Sequence, residues 1–313
     1  MISKIKDLSN VLTEIVGPEG EDQRVDNFLL RRCKGVPRSH IYRILRSGEV
    51  RVNSKRVDAT CRLREGDRIR IPPMRVAAPA GKPRPRPMEL PVVYEDEALL
   101  VIDKPSGTAV HGGSGVSYGV IEAMRAARPG LKFLELVHRL DRDTSGLLML
   151  AKKRSALTRL HADLREGRVE KRYLALVKGQ FGSAERRVGL SLRKYLTHAG
   201  ERRVSVDPEG KEALTVFRPE RMFRDFTLLS AELHTGRTHQ IRVHLAHLGF
   251  PIAGDDKYGD FDLNRDLTKQ GLKRMFLHAG DLSFVHPLTL KTIALQAPLP
   301  PELDAFLRRL EKK

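Results

Sequence analysis

His138-Arg139-Leu140-Asp141-Arg142-Asp143-Thr144-Ser145-Gly146-Leu147-Leu148-Met149-Leu150 is the stretch where the chain changes character. Eight of its first nine residues are polar or glycine, and the last four are apolar without alternation. A continuous apolar run of that length reads as a strand buried on both faces. The polar residues before it then lie on a loop at the rim of a sheet, a position suited to chemistry. Arg139 and Arg142 flank Asp141. Cations beside a carboxylate favour its charged form, which suits a base or a nucleophile and not an acid. The plainer alternative is that Asp141 or Asp143 caps a turn, with Thr144 and Ser145 helping.

The neighbouring segments extend the same reading. Leu99 to Ile102 is a second continuous apolar run. Leu157, Leu160 and Leu164 fall on one helix face, and Gly167 closes that helix. Tyr173, Ala175 and Val177 alternate with Leu174 and Leu176 in a following strand. Val243, Leu245 and Leu248 lie in a stretch that can be helical. Strands with interspersed helices predict an α+β domain over residues 92–313, built on a mixed or antiparallel sheet. Val110-His111-Gly112-Gly113-Ser114-Gly115 is glycine-rich but fits neither a Walker A loop nor a dinucleotide fingerprint, and serves equally as a surface loop or a substrate contact. No cofactor is expected. His239, His244 and His247 are close in sequence, but no carboxylate or zinc-type spacing accompanies them, so no metal site is predicted.

Upstream the composition changes. Residues 72–91 hold seven prolines, with Pro83, Pro85 and Pro87 alternating with basic residues. This favours extended geometry and reads as a linker over 74–91. Before it, Arg24 to Pro72 carries 14 Lys/Arg against 5 Asp/Glu. A solvated surface would show both signs in similar numbers, so this excess points to phosphate binding. Val25, Phe28 and Leu29 mark a helix. Ser39 is a candidate cap of a second helix bearing Ile41, Tyr42 and Leu45, with Gly48 just past its end. Val50 and Val52 mark a strand, Asn53-Ser54 a turn and Val57 the return; Ile69 and Ile71 mark another strand. This is a small αα-β domain over residues 21–73, preceded by an extension over 1–20 that reads as mobile or as an edge addition. Arg38, Arg43, Arg46, Arg51, Lys55 and Arg56 are its candidate phosphate-binding residues.

The chain as a whole has 313 residues and a formal charge of +18. That charge suits a polyanionic partner, nucleic acid or an anionic membrane surface. No apolar run approaches the length of a membrane span, and the first residues do not form a secretory signal. The two cysteines, Cys33 and Cys61, make no disulfide framework. A cytoplasmic, monomeric protein without membrane association is expected.

Two resemblances sharpen this. Ser39-x-x-Tyr42-x-x-Leu45-x-x-Gly48-x-Val50-x-Val52-Asn53, followed by Gly66-Asp67-x-Ile69, resembles an S4-type RNA-binding domain. His138-Arg139-Leu140-Asp141-x-x-Thr144-Ser145-Gly146-Leu147 resembles the signature of the RluA-type family of pseudouridine synthases. Asp103-Lys104-Pro105-Ser106-Gly107, Lys171-Arg172-Tyr173-Leu174-Ala175, Thr235-Gly236-Arg237-Thr238-His239-Gln240-Ile241-Arg242-Val243-His244 and Phe276-Leu277-His278-Ala279 are similar to further family segments, in order. With the S4-type domain, the arrangement is most similar to members acting on bacterial large-subunit (23S) ribosomal RNA. The resemblance implies an S4-type domain linked to a mixed α/β-sheet synthase domain. It implies an isomerase needing no cofactor, with ribosomal RNA or a large-subunit precursor as partner. It makes Asp141 the catalytic carboxylate, Tyr173 the group that stacks on the base and handles protons, and Arg242 the partner of Asp141. Arg139 would take part in uridine extrusion or grip the backbone, Leu277 would pack on the base, and Thr144 and Ser145 would shape the loop. Without the family, Tyr173 and Leu277 read as core and Arg242 as a helix surface charge. The competing function classes are a non-catalytic S4-containing assembly factor and a methyltransferase. An intact Asp141, Tyr173 and Arg242 set speaks against the first, and the missing nucleotide loop against the second.

Overall fold

The computed structural model describes residues 10–33, 35–74, 87–113, 116–197 and 200–311. The linker residues 75–86 and the motif residues Ser114 and Gly115 lie outside the described residues. The chain forms two compact units, Met1–Pro83 and Arg84–Lys313.

The first unit contains β1 (Leu12–Ile15), α1 (Val25–Arg32), α2 (Arg38–Arg46), β2 (Arg51–Val52), β3 (Lys55–Arg56) and β4 (Arg68–Ile71). Its sheet has the order β1-β4-β2-β3. The helices bury Val25, Phe28, Leu29, Ile41, Ile44 and Leu45 against Val52, Ile69 and Ile71. Part of the expected extension is thus an edge strand, with Leu12 opposite Ile71. Ser39 is not the cap of α2: Pro37 is, with φ −58°, and Ser39 lies inside the first turn. The locked proline φ already suits a helix start. The return strand begins at Lys55, before Val57, because Asn53 and Ser54 both take positive φ and turn the chain in two residues.

The second unit contains β5 (Val92–Glu95), β6 (Leu99–Lys104), α3 (Val120–Ala127), β7 (Glu135–Leu136), β8 (Ser145–Ala151), α4 (Arg154–Arg165), β9 (Glu170–Lys178), β10 (Arg186–Gly189), β11 (Leu192–Leu196), β12 (Arg202–Val206), β13 (Leu214–Met222), β14 (Phe226–Leu233), α5 (Gln240–His247), α6 (Phe261–Lys269), β15 (Leu277–Val285), β16 (Thr292–Gln296) and α7 (Pro301–Leu310). The main sheet runs β10-β13-β14-β9-β15-β8-β6-β5, with β16 on β15 and β7 on β8. Its one parallel pair among the described residues is β8 with β15, so the sheet is mixed. The alternation along β6 and β8 explains their continuous apolar runs. Leu100, Ile102, Leu148 and Leu150 enter one core, and Leu99, Val101, Leu147 and Met149 enter another on the opposite face. The second core is covered by Ala156 and Leu160 of α4, the first by Val120, Ile121 and Met124 of α3. The loop at 138–144 therefore enters the sheet at its centre.

Candidate active site

The loop carrying Asp141 is built tightly. The Thr144 amide donates to the Asp141 carbonyl at 3.2 Å, closing a turn. Lys104, at the end of β6, is fully buried, and its Nζ donates to the carbonyls of Pro105 (2.8 Å), Thr108 (2.9 Å) and Arg142 (3.0 Å). Burial pushes this amine down to about 7. Ser106 Oγ donates to the Asp143 carbonyl at 2.8 Å. Gly146 then enters β8 with φ +110°, and a Cβ there would lie 2.2 Å from the Ala279 carbonyl oxygen. No side chain fits between the parallel strands at that point.

Asp141 meets α5. Arg242 Nη1 donates to Asp141 Oδ2 at 3.3 Å, and His239 Nε2 lies 3.9 Å from Oδ1. The Arg242 side chain is 3% exposed and Asp141 24%. Arg242 is itself held by a fork: Nε and Nη2 each donate to an Asp255 carboxylate oxygen at 2.7 Å. Asp255 also accepts from the amides of Lys257 and Tyr258. Despite its burial, Asp255 is pushed below the usual carboxylate range by Arg242 and these amides. The Arg242 guanidinium stands 5.1 Å from the centre of the Tyr258 ring. Tyr258 Oη accepts from the Val204 amide of β12 and bonds His239 Nδ1 at 2.8 Å. His239 adopts φ +54° at the start of α5, a conformation that survives only where the surroundings hold it.

A cleft of about 500 Å³ opens over Asp141 and is lined by Arg139, Tyr173, Arg242 and Leu277. Tyr173 on β9 pairs with Ala279 on β15, and Leu277 pairs with Ala175, so both side chains share one sheet face. Burial and the Asp141 charge push the Tyr173 phenol up, which keeps its proton on. The fold thus joins the expected Asp141, Tyr173, Arg242, Leu277 and Arg139 around one cavity. Thr144 and Ser145 are both buried; Thr144 lines the same cleft, and Ser145 Oγ accepts from Arg274 at 2.7 Å and bonds His278 at 2.9 Å, which braces the loop. Of the three clustered histidines, His244 has both ring nitrogens taken by Thr215 and the Leu190 carbonyl. The sequence reading missed Asp255, Tyr258, His239 as a neighbour of Asp141, and the anchoring by Lys104. Asp255 and Tyr258 sit in a polar stretch, Gly254-Asp255-Asp256-Lys257-Tyr258-Gly259, without a periodic signal.

In the first unit, Arg38, Arg43, Arg46, Lys55 and Arg56 are exposed and Arg51 is half-buried. Arg56 donates to the Arg46 carbonyl and Arg51 to the Gly48 carbonyl, which gathers the hairpin arginines at the C-terminal end of α2. Arg38 stands at the other end of the helix. Arg68 and Arg70, exposed on β4, were not anticipated; Arg70 lies opposite Arg51 and donates to the Glu49 carbonyl.

A family model described as RNA pseudouridylate synthase matches residues 98–247, and one described as S4 domain matches residues 23–69. The chain is 51% identical over 297 residues to the ribosomal large subunit pseudouridine synthase C of Pasteurella multocida (strain Pm70), covering 93% of this chain and 91% of that one. It is 52% identical over 296 residues to the protein of the same name from Escherichia coli (strain K12), covering 92% and 93%. Among solved structures it resembles Human RNA Pseudouridylate Synthase Domain Containing 1, with TM-score 0.58 and 27% identity over 70% of this chain and 87% of that one. Human RNA Pseudouridylate Synthase Domain Containing 4 shares the fold, with TM-score 0.58 and 24% identity over 71% and 93%.

Proposed function

This chain belongs to the RNA pseudouridylate synthase family and carries an S4 domain, and from that premise we propose that it isomerises specific uridines of large-subunit (23S) ribosomal RNA to pseudouridine, with Asp141 as the reacting carboxylate. The observation that carries the reading is an Asp141 carboxylate paired with a buried arginine in a cleft walled by Tyr173 and Leu277. The reaction breaks the N1–C1′ bond, turns the base and joins C5 to C1′; the C5 proton leaves and N1 gains one. The product is an isomer, so the chemistry requires no cofactor.

The target carbon is inaccessible in a stacked helix, so the uridine is extruded into the cleft. Arg139, exposed at the mouth, grips the backbone or fills the vacated space. The base lies between Tyr173 and Leu277. Asp141 attacks C1′, as a glycosidase carboxylate does, or assists departure of the base. Arg242, fixed by Asp255, keeps Asp141 aimed. Tyr173, protonated and beside Asp141, is placed to move the proton between C5 and N1. The basic face of the S4 domain adds phosphate affinity that falls with salt. The protein works as a cytoplasmic monomer. Among the described residues no helix is long and apolar enough to cross a membrane.

The test is tritium release from 5-tritiated-uridine large-subunit RNA, because forming the C5–C1′ bond expels that hydrogen. Wild type releases tritium; Asp141→Ala releases none and still binds RNA. Silence from wild type on naked RNA and on immature subunits would favour a non-catalytic assembly factor.

A further inference from the structure

Lys171 has no role in the site described above. It lies on β9 two residues before Tyr173, on the same strand face, and it lines the same cleft as Asp141. The residue is 8% exposed. Among the described residues its amine has neither a hydrogen bond nor a carboxylate partner. An ammonium so far removed from water without a counter-charge is costly, and an anion entering the cleft would supply that charge. Burial also pushes the amine down from its ordinary value.

The surroundings suggest which anion. The cleft is lined by Arg139, Arg165, Lys171, Arg237 and Arg242, and Asp141 is the one carboxylate among its described lining residues. Arg242 is engaged by Asp255 and Asp141. Arg139 and Arg165 are exposed and have no carboxylate partner among the described residues. Arg165 ends α4 and lines the same cleft as Lys171. Five cations facing a single carboxylate match a phosphodiester, whose non-bridging oxygens accept from more than one donor. A neutral uracil carbonyl would need one donor and no charge.

We propose that Lys171, together with Arg165 on the same cleft wall, forms a phosphate subsite and grips the RNA backbone at or next to the extruded nucleotide. The proposal rests on the isomerase reading for the choice of RNA as ligand. Lys171 acts in binding, so its loss falls on affinity more than on the saturated rate.

The experiment measures equilibrium binding of large-subunit RNA at several salt concentrations, in an Asp141→Ala background that prevents turnover. Lys171→Met should weaken binding roughly tenfold, as expected for one charged hydrogen bond. It should also lower the slope of log affinity against log salt by about 0.7–0.9, the share of one phosphate contact. Lys171→Arg should restore the slope. A merely structural lysine would not move the slope. An unchanged slope in Lys171→Met overturns the proposal, even if tritium release falls in the wild-type background. If Lys171→Met melts well below the parent, Arg165→Gln decides: it is exposed at a helix end, should lower the slope by a similar amount, and overturns the subsite if it does not. Tritium release by wild type is run in parallel. Its failure would sink the isomerase reading while the slope comparison still decides whether Lys171 holds a phosphate.

Discussion

Arg242 is the residue on which the site turns. Its guanidinium offers two donors to Asp255 and a third to Asp141, a division only a planar fork achieves. Arg242→Lys would keep the charge and lose the fork, and a misplacement of about 1 Å at a reacting group costs about a hundredfold in rate. Tritium release is expected to fall by that order while RNA affinity holds. Asp255→Asn tests the other arm. Removing one partner of a buried pair leaves a charge uncompensated and costs about 3–5 kcal/mol, although Asp141 still meets Arg242 and moderates the loss. Denaturant midpoints measure the stability term, and tritium release shows whether Asp141 stays aimed. A stable, fully active Asp255→Asn protein would contradict this account of the fork.

At the scale of elements, the site depends on how a loop is clamped between two strands. Lys104 ties the end of β6 to the Arg142 carbonyl, and Gly146 lets β8 approach Ala279 on β15. Gly146→Ala combines a backbone conformation unfavourable for alanine with a clash against backbone. Strain and overpacking of about 1–3 kcal/mol each predict a loss of about 2–6 kcal/mol, read as a lowered melting temperature. Lys104→Met removes the three donations and keeps the apolar stem. Turnover is expected to fall more than RNA affinity, because the loop loses its anchor while the S4 domain is untouched.

The whole molecule has two predictable dependences on solution conditions. His138 is pushed down to about 4 by burial, and His244 and His278 are also held below the ordinary imidazole value. The unfolded chain therefore takes up protons at these positions near pH 6.5, before the folded one does. Their contribution to stability is complete above about pH 6.5 and is lost as pH falls toward about 4. Melting temperatures should drop between pH 7.5 and pH 5, and a flat profile would mean that these rings are not buried as described. The second dependence follows from the +18 charge. Substituting Arg43, Arg46 or Arg70 by Gln should weaken RNA binding across sequences and lower the salt slope by about 1 each.

Much of this was readable along the chain. The unbroken apolar runs at 99–102 and 147–150 mark strands that really are buried on both faces, because a run without polar residues leaves neither face suited to water. The segments carrying Asp141, Tyr173, Arg242 and Leu277 could be singled out as motifs, although their residues taken alone read as turn, core or surface. The fork from Asp255, the Tyr258 link to β12 and the isolation of Lys171 had no local signal. Asp255 stands more than a hundred residues after Asp141. Their meeting depends on a parallel pairing of β8 with β15 and on where α5 docks, and such non-local registers leave no period in the sequence. Ser145 makes the same point in reverse: its hydroxyl looks available on a polar loop, and the packing of Arg274 and His278 against it turns it into a brace.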